Sequence, residues 1–133
     1  MQFGMRRSAA QALVESALVL PLMIMVSLGV LQVVLYAHAH DVLSSAVQEG
    51  ARLAAEDGRG LDEGYARVEA LIGAGLGSSV DPVHVDASRD DDVVTFRVAA
   101  SMRPILPFPL LGDLPVRAEG QVARERFRPG GRS

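Results

Sequence analysis

Hydrophobic positions change their spacing along this chain, and each change marks an element. From Ser16 to Ala37 the residues are apolar on every side: 17 of 22 are hydrophobic and none is charged. A helix of 22 residues rises about 33 Å, enough to cross a hydrocarbon core of roughly 30 Å. Leu18, Val19, Leu20, Leu22, Met23, Ile24, Met25 and Val26 leave no polar stripe, which an amphipathic surface helix needs. The rest of the 133-residue chain, with 5% aromatics, is too small to enclose such a rod. The segment reads as a membrane span.

After it, Asp41 to Ala55 turns to helical period, with Val42, Leu43, Ala46, Val47, Gly50, Leu53 and Ala54 on one face. One long helix should therefore leave the membrane and enter a folded domain, ending at Gly58-Arg-Gly60. A second helix is expected over 61–74, with Asp62 and Glu63 in its first turn and Tyr65, Val68, Leu71 and Ile72 inward. Gly73 to Gly77 should terminate it. Residues 82–88 and 93–102 then alternate, placing Val83, Val85 and Ala87, then Val94, Phe96, Val98, Ala100 and Met102, on one side. Arg89 to Asp92 reads as the hairpin loop between them. A third strand over 115–127 completes a small antiparallel sheet packed on the long helix, an α+β class. The divisions are a leader (1–10), a transmembrane and assembly helix (11–57), an exported domain (58–127) and a frayed tail (128–133).

Charge sets the orientation. Arg6 and Arg7 precede the span while Asp41, Glu49, Glu56 and Asp57 follow it, so the positive-inside rule keeps the short N-terminus in the cytoplasm and the remainder outside. Two residues interrupt the apolar run. Glu15 sits at the mouth of the span, where a free carboxylate costs several kcal/mol unless paired; it either acquires a partner or marks a helix start in the headgroup zone, where an acid suits the macrodipole. Pro21 removes a backbone donor and crowds the carbonyl of Ala17, so a kink or loosened turn is expected.

Composition narrows the chemistry. All 13 basic residues are arginine, there is no cysteine, and the net charge is −3. Without lysine there is no Walker-type phosphate loop and no Schiff-base amine. Without cysteine there is no disulfide, thiol nucleophile or cysteine zinc site. Mild acidity argues against nucleic-acid binding.

Residues Arg7 to Pro21, reading RSAAQALVESALVLP, together with Val47 to Ala55, reading VQEGARLAA, resemble the TadE-like family of pseudopilins, minor subunits of tight-adherence (Flp-type) pili. The C-terminal third resembles it more weakly, through the proline-rich stretch Arg103 to Gly112 and the strand from Val116 to Ala123. The resemblance implies a prepilin with a basic leader, cut on the cytoplasmic side by a prepilin peptidase, with a glutamate fifth in the mature chain and a proline soon after. Cleavage between Ala10 and Gln11 places Glu15 fifth, although the family usually has glycine where this chain has Ala10. The family implies that Glu15 pairs with the new amine of Gln11 or of a neighbouring subunit; residues four apart share a helix face. It also implies other pilins or pseudopilins, the prepilin peptidase, an inner-membrane assembly platform and the lipid bilayer as partners, with no cofactor, small-molecule substrate or catalytic role.

Other groupings carry less. Asp90, Asp91 and Asp92 lack the ligand count and glycine turn of a calcium loop. His38 and His40 point to different helix faces. Gly73 to Ser78 follows a helix where a nucleotide-binding turn needs a strand. No G-x-S-x-G elbow occurs. The expectation is a single-pass cytoplasmic-membrane structural subunit, without catalytic or metal residues. Two alternatives stand beside it: a soluble exported domain released by signal peptidase after Ala39, and a permanently anchored binding protein. Ala37-His-Ala39 satisfies the small-residue cleavage rule, but the apolar stretch exceeds the usual 7 to 15 residues of a signal peptide.

Overall fold

The computed structural model describes residues 2–56, 58–105 and 112–124. Helix α1 runs from Gln2 to Ala55, 54 residues without a break, a rod of about 80 Å at 1.5 Å per residue. Helix α2 follows (Leu61–Leu76), then a short 3₁₀ turn (Gly77–Ser79) and strands β1 (Val80–Arg89), β2 (Val93–Met102) and β3 (Leu114–Ala123). The strands form an antiparallel meander in the order β1-β2-β3. The expected α+β class, with a long N-terminal helix, a second short helix and a three-stranded sheet, is the observed one. The far end of α1, α2 and the sheet together form a head.

The head core lies between the sheet and the last third of α1. Leu43, Ala46, Val47, Ala51 and Ala54 of α1 meet Val94, Phe96, Val98, Ala100 and Met102 of β2, all buried. Period-2 alternation puts those five β2 side chains inward, as the sequence pattern predicts. The small residues of α1 let its backbone approach its neighbours. A Cβ on Gly120 of β3 would sit 2.7–2.8 Å from the backbone of Val47 and Gln48, and one on Gly64 of α2 would sit 2.7 Å from the Gly50 carbonyl oxygen. Neither obstacle is a side chain that can swing aside.

Several expectations shift by a few residues. Helix α2 passes through Gly73 and Gly75 and stops only where Gly77 takes φ +51°, a left-handed conformation that suits glycine. Its inward face is Gly64, Val68, Ile72 and Leu76, so Tyr65, expected to point inward, is 37% exposed and lies off that face. In β1 the register slips between Val80 and Val83, which leaves Val83 exposed and puts Val80 in the core instead. Arg89 belongs to β1 and not to the hairpin loop: its guanidinium donates to the carbonyls of Ala54 (2.8 Å) and Arg59 (3.2 Å), covering the end of α1 where carbonyls lack helical partners. β3 begins at Leu114 and ends at Ala123. The predicted strand residues 125–127, the tail 128–133 and much of the proline-rich stretch (106–111) lie outside the described residues.

Candidate functional site

The leader, cleavage and assembly residues expected from the sequence all lie on the exposed, head-free part of α1. Arg6, Arg7, Ala10, Gln11, Glu15 and Pro21 are solvent-facing on one continuous helix. Gln11 and Glu15 are one turn apart, about 6 Å along the axis, and share a face. Beside Glu15 the surface dips into a shallow hollow of about 310 Å³ lined by Ser16, Val19, Leu20 and Met23. Helix α1 continues on both sides of Pro21. The proline has no N–H for the Ala17 carbonyl. Two turns on, the Ser27 hydroxyl donates to the Met23 carbonyl at 2.8 Å, a back-bond of the kind that bends helices.

From Leu13 to Val34 the large apolar side chains of α1 stand exposed on all sides, with Leu13, Leu18 and Val33 about 70% accessible. Burying such side chains is worth about 1.5–3 kcal/mol each, so a solvent of hydrocarbon suits this surface and water does not. Among the described residues, α1 is the one helix long and apolar enough to cross a membrane.

Two residues that sequence reasoning passed over join the rod to the head. The Ile105 amide donates to Gln32 Oε1 at 2.6 Å, and the Tyr36 hydroxyl donates to the Pro115 carbonyl at 3.1 Å. Gln32 is 9% exposed. The head thus begins within the residues assigned to the span, and not after Ala37. A glutamine amid apolar residues was the available signal.

The remaining candidates stay apart. His38 and His40 are exposed on α1. Asp90 to Asp92 form a tight turn in which the Asp90 amide donates to the Val93 carbonyl at 2.9 Å and the Asp91 amide to Asp90 Oδ1 at 2.8 Å. Among the described residues no three metal-ligating side chains converge. On the outer sheet face, Asp86, Arg97 and Glu119 pair across all three strands. Arg97 binds Glu119 through Nε at 2.9 Å and Nη2 at 3.3 Å. That hydrogen bond, first, holds the Glu119 carboxyl below the usual carboxylate range and raises the Arg97 guanidinium above its own; the Gln121 amide further lowers Glu119, and the Coulombic attraction of the pair likewise lowers Glu119 and raises Arg97.

An exposed apolar rod carrying a compact α+β head at one end fits a membrane anchor joined to a folded domain. The family model described as TadE-like protein matches residues 10–52, most of α1, and over that stretch the chain is similar to that family. The match suggests a pilus-associated protein. No curated protein and no solved structure matches the chain.

Proposed function

We propose that this chain is a TadE-like pseudopilin: a minor structural subunit, without enzymatic activity, that is held in the cytoplasmic membrane by α1 and assembles with other pilins of a tight-adherence apparatus. The observation that carries the reading is the coincidence of the family match, which begins at residue 10, with a helix whose large apolar side chains are exposed from Leu13 onward. Arg6 and Arg7 keep the N-terminus cytoplasmic, where a prepilin peptidase cuts between Ala10 and Gln11. The amine so created lies one turn from Glu15. Pairing offsets the cost of holding that carboxylate at the membrane edge, and an amine offered by a neighbouring subunit makes Glu15 a register device for assembly. Pro21 loosens the helix inside the span, leaving it able to bend as it passes from bilayer to assembly.

Two measurements test this. N-terminal sequencing of the membrane-recovered protein should begin at Gln11; a start at Met1 would leave a simple anchor, and a start at His40 the secretory route. Glu15→Gln should be cut normally yet fail to enter the pilus apparatus, and normal incorporation of that variant refutes the role given to Glu15. The secretory route is disfavoured by the fold. Ala39 is 1% exposed inside an unbroken helix, and a cut after it would remove Gln32 and Tyr36, both bonded to the head.

A further inference from the structure

Where the head meets the rod there is a cleft of about 330 Å³, walled by α1, the end of α2, the 3₁₀ turn and the end of β2. Its apolar wall is Leu35, Ala39, Leu76, Met102 and Ile105, and Arg103 and His38, both exposed, stand among its lining residues. Gln32 also lines it. Because Gln32 Oε1 accepts from the Ile105 amide, the orientation of the side-chain amide is fixed by chemistry: oxygen toward Ile105, nitrogen away. That nitrogen, Nε2, is buried and has no hydrogen-bond partner among the described residues. A buried donor left unmatched carries the full cost of its desolvation, so the position calls for an acceptor.

The place of the cleft along the rod says which acceptor is at hand. A hydrocarbon core of roughly 30 Å takes about 20 residues of helix. Counted from Leu13 it ends at Gln32, and counted from Ser16 it ends at Leu35; both residues line the cleft. The cleft therefore opens at the depth where acyl chains give way to ester carbonyls and phosphates. Apolar walls, one amide donor and an arginine at the same level match those three parts of a lipid in turn.

We infer that this cleft seats one glycerophospholipid from the leaflet next to the head, with an acyl chain against Leu76 and Met102, an ester carbonyl accepting from Gln32 Nε2, and the phosphate facing Arg103. The inference rests on α1 spanning the membrane, as proposed above. A seated lipid would fix how deep the head rides on the bilayer, and hence the height at which a neighbouring subunit meets it.

The test uses the full chain in phosphatidylethanolamine and phosphatidylglycerol vesicles. They are doped with two phosphatidylglycerols, one bearing a diazirine on the acyl carbons nearest the ester to probe the cleft and one bearing it near the chain end to probe Val19 to Met25 at the span centre, and adducts are mapped by mass spectrometry. Adducts are expected at Leu35, Ala39, Leu76 or Met102. Gln32→Leu should lower them about fivefold, the change that one hydrogen bond implies, with labelling of Val19 to Met25 unaltered. Arg103 is exposed, so Arg103→Ala leaves the head folded and should also lower the cleft adducts. Labelling of Val19 to Met25 without cleft adducts overturns the lipid site and leaves the anchor reading intact. No labelling of either region removes the anchor reading and the site with it. A photo-crosslinking residue placed at Leu35 that captures a second copy of the chain in place of lipid also overturns the inference, as does cleft labelling that neither variant changes.

Discussion

The two ends of α1 are one helix written in two alphabets. Toward the N-terminus, the stretch around Leu18 to Val34 uses large aliphatic side chains on every face and buries almost none of them. Toward the C-terminus the inward positions are Ala39, Ala46, Gly50, Ala51 and Ala54, with Leu43 and Val47 between, and all are buried. Large residues all round suit a fluid solvent that conforms to any shape. Small residues on one face suit a solid partner, because the backbone of α2 and β3 can then come within van der Waals reach of the helix axis. The same helix therefore meets lipid at one end and protein at the other, and the change of side-chain size marks where.

The difference can be broken from either side. The largest effect is expected in the head core, where Phe96 is fully buried against α1 and α2. Phe96→Ala should destabilise the head by about 3–5 kcal/mol, read by chemical unfolding of the full chain in detergent, and should leave membrane recovery of the freshly made chain unchanged. The converse change is Met23→Arg, on the exposed rod. An arginine at a span centre costs about 2.5–3.5 kcal/mol of insertion free energy, so the variant should partition out of the membrane fraction while its head unfolds at the wild-type midpoint. If Met23→Arg destabilised the head equally, the two ends of α1 would not be separate environments.

A sharper version adds the same single carbon at both ends. Gly120→Ala places a Cβ 2.7 Å from the Val47 backbone, whereas Gly29→Ala meets nothing within 4 Å. The first should cost about 1–3 kcal/mol of head stability through overpacking. The second should leave head stability unchanged. Equal unfolding midpoints for the two variants would show that the close helix-to-sheet approach is not needed.

What sequence pattern could reveal follows from the range of the forces involved. The elements were legible because apolar periodicity is local: the all-round run of α1, the 3.6-residue face after Asp41 and the alternation of β2 each need only neighbouring residues to be seen. Glycines inside α2 misled the reading, since Gly73 and Gly75 suggest a stop, yet a Cβ on Gly75 would meet Val42 at 2.7 Å; closeness of α1 and α2 explains that residue, and closeness is tertiary. The same holds for the junction with the head. Gln32 binds a residue 73 positions away and Tyr36 one 79 positions away, and no period in the chain links them. Arg89 looked like a loop residue beside three aspartates, while its partners are carbonyls at the end of α1. The segment Arg7 to Pro21 is the opposite case. Its informative features, Arg7, Glu15 and Pro21 at set spacing, are linear along one helix, so a resemblance could be read directly, and the family match covers residues 10–52.

The smallest expected effect belongs to the outer sheet face, the region of the head that resembles the rod in being open to solvent. Glu119 has its carboxyl held below the ordinary range mainly by the hydrogen bond from Arg97. A lowered folded-state value means that the pair's contribution is complete above the pKa of an unfolded glutamate and is lost as pH falls through the folded one, while Arg97, shifted upward, stays charged throughout. Both side chains are largely exposed, at 59% and 43%, so solvent screening keeps the contribution small. Glu119→Gln should lower the head's unfolding midpoint slightly at pH 7 and in low salt, by less at high salt, and by progressively less as the pH falls from 7 to 3 and the carboxylate is neutralised. A difference that persisted undiminished at pH 3 would mean that residue 119 acts through packing on the sheet face, and the contrast with the buried face would then be one of contacts alone, without charge.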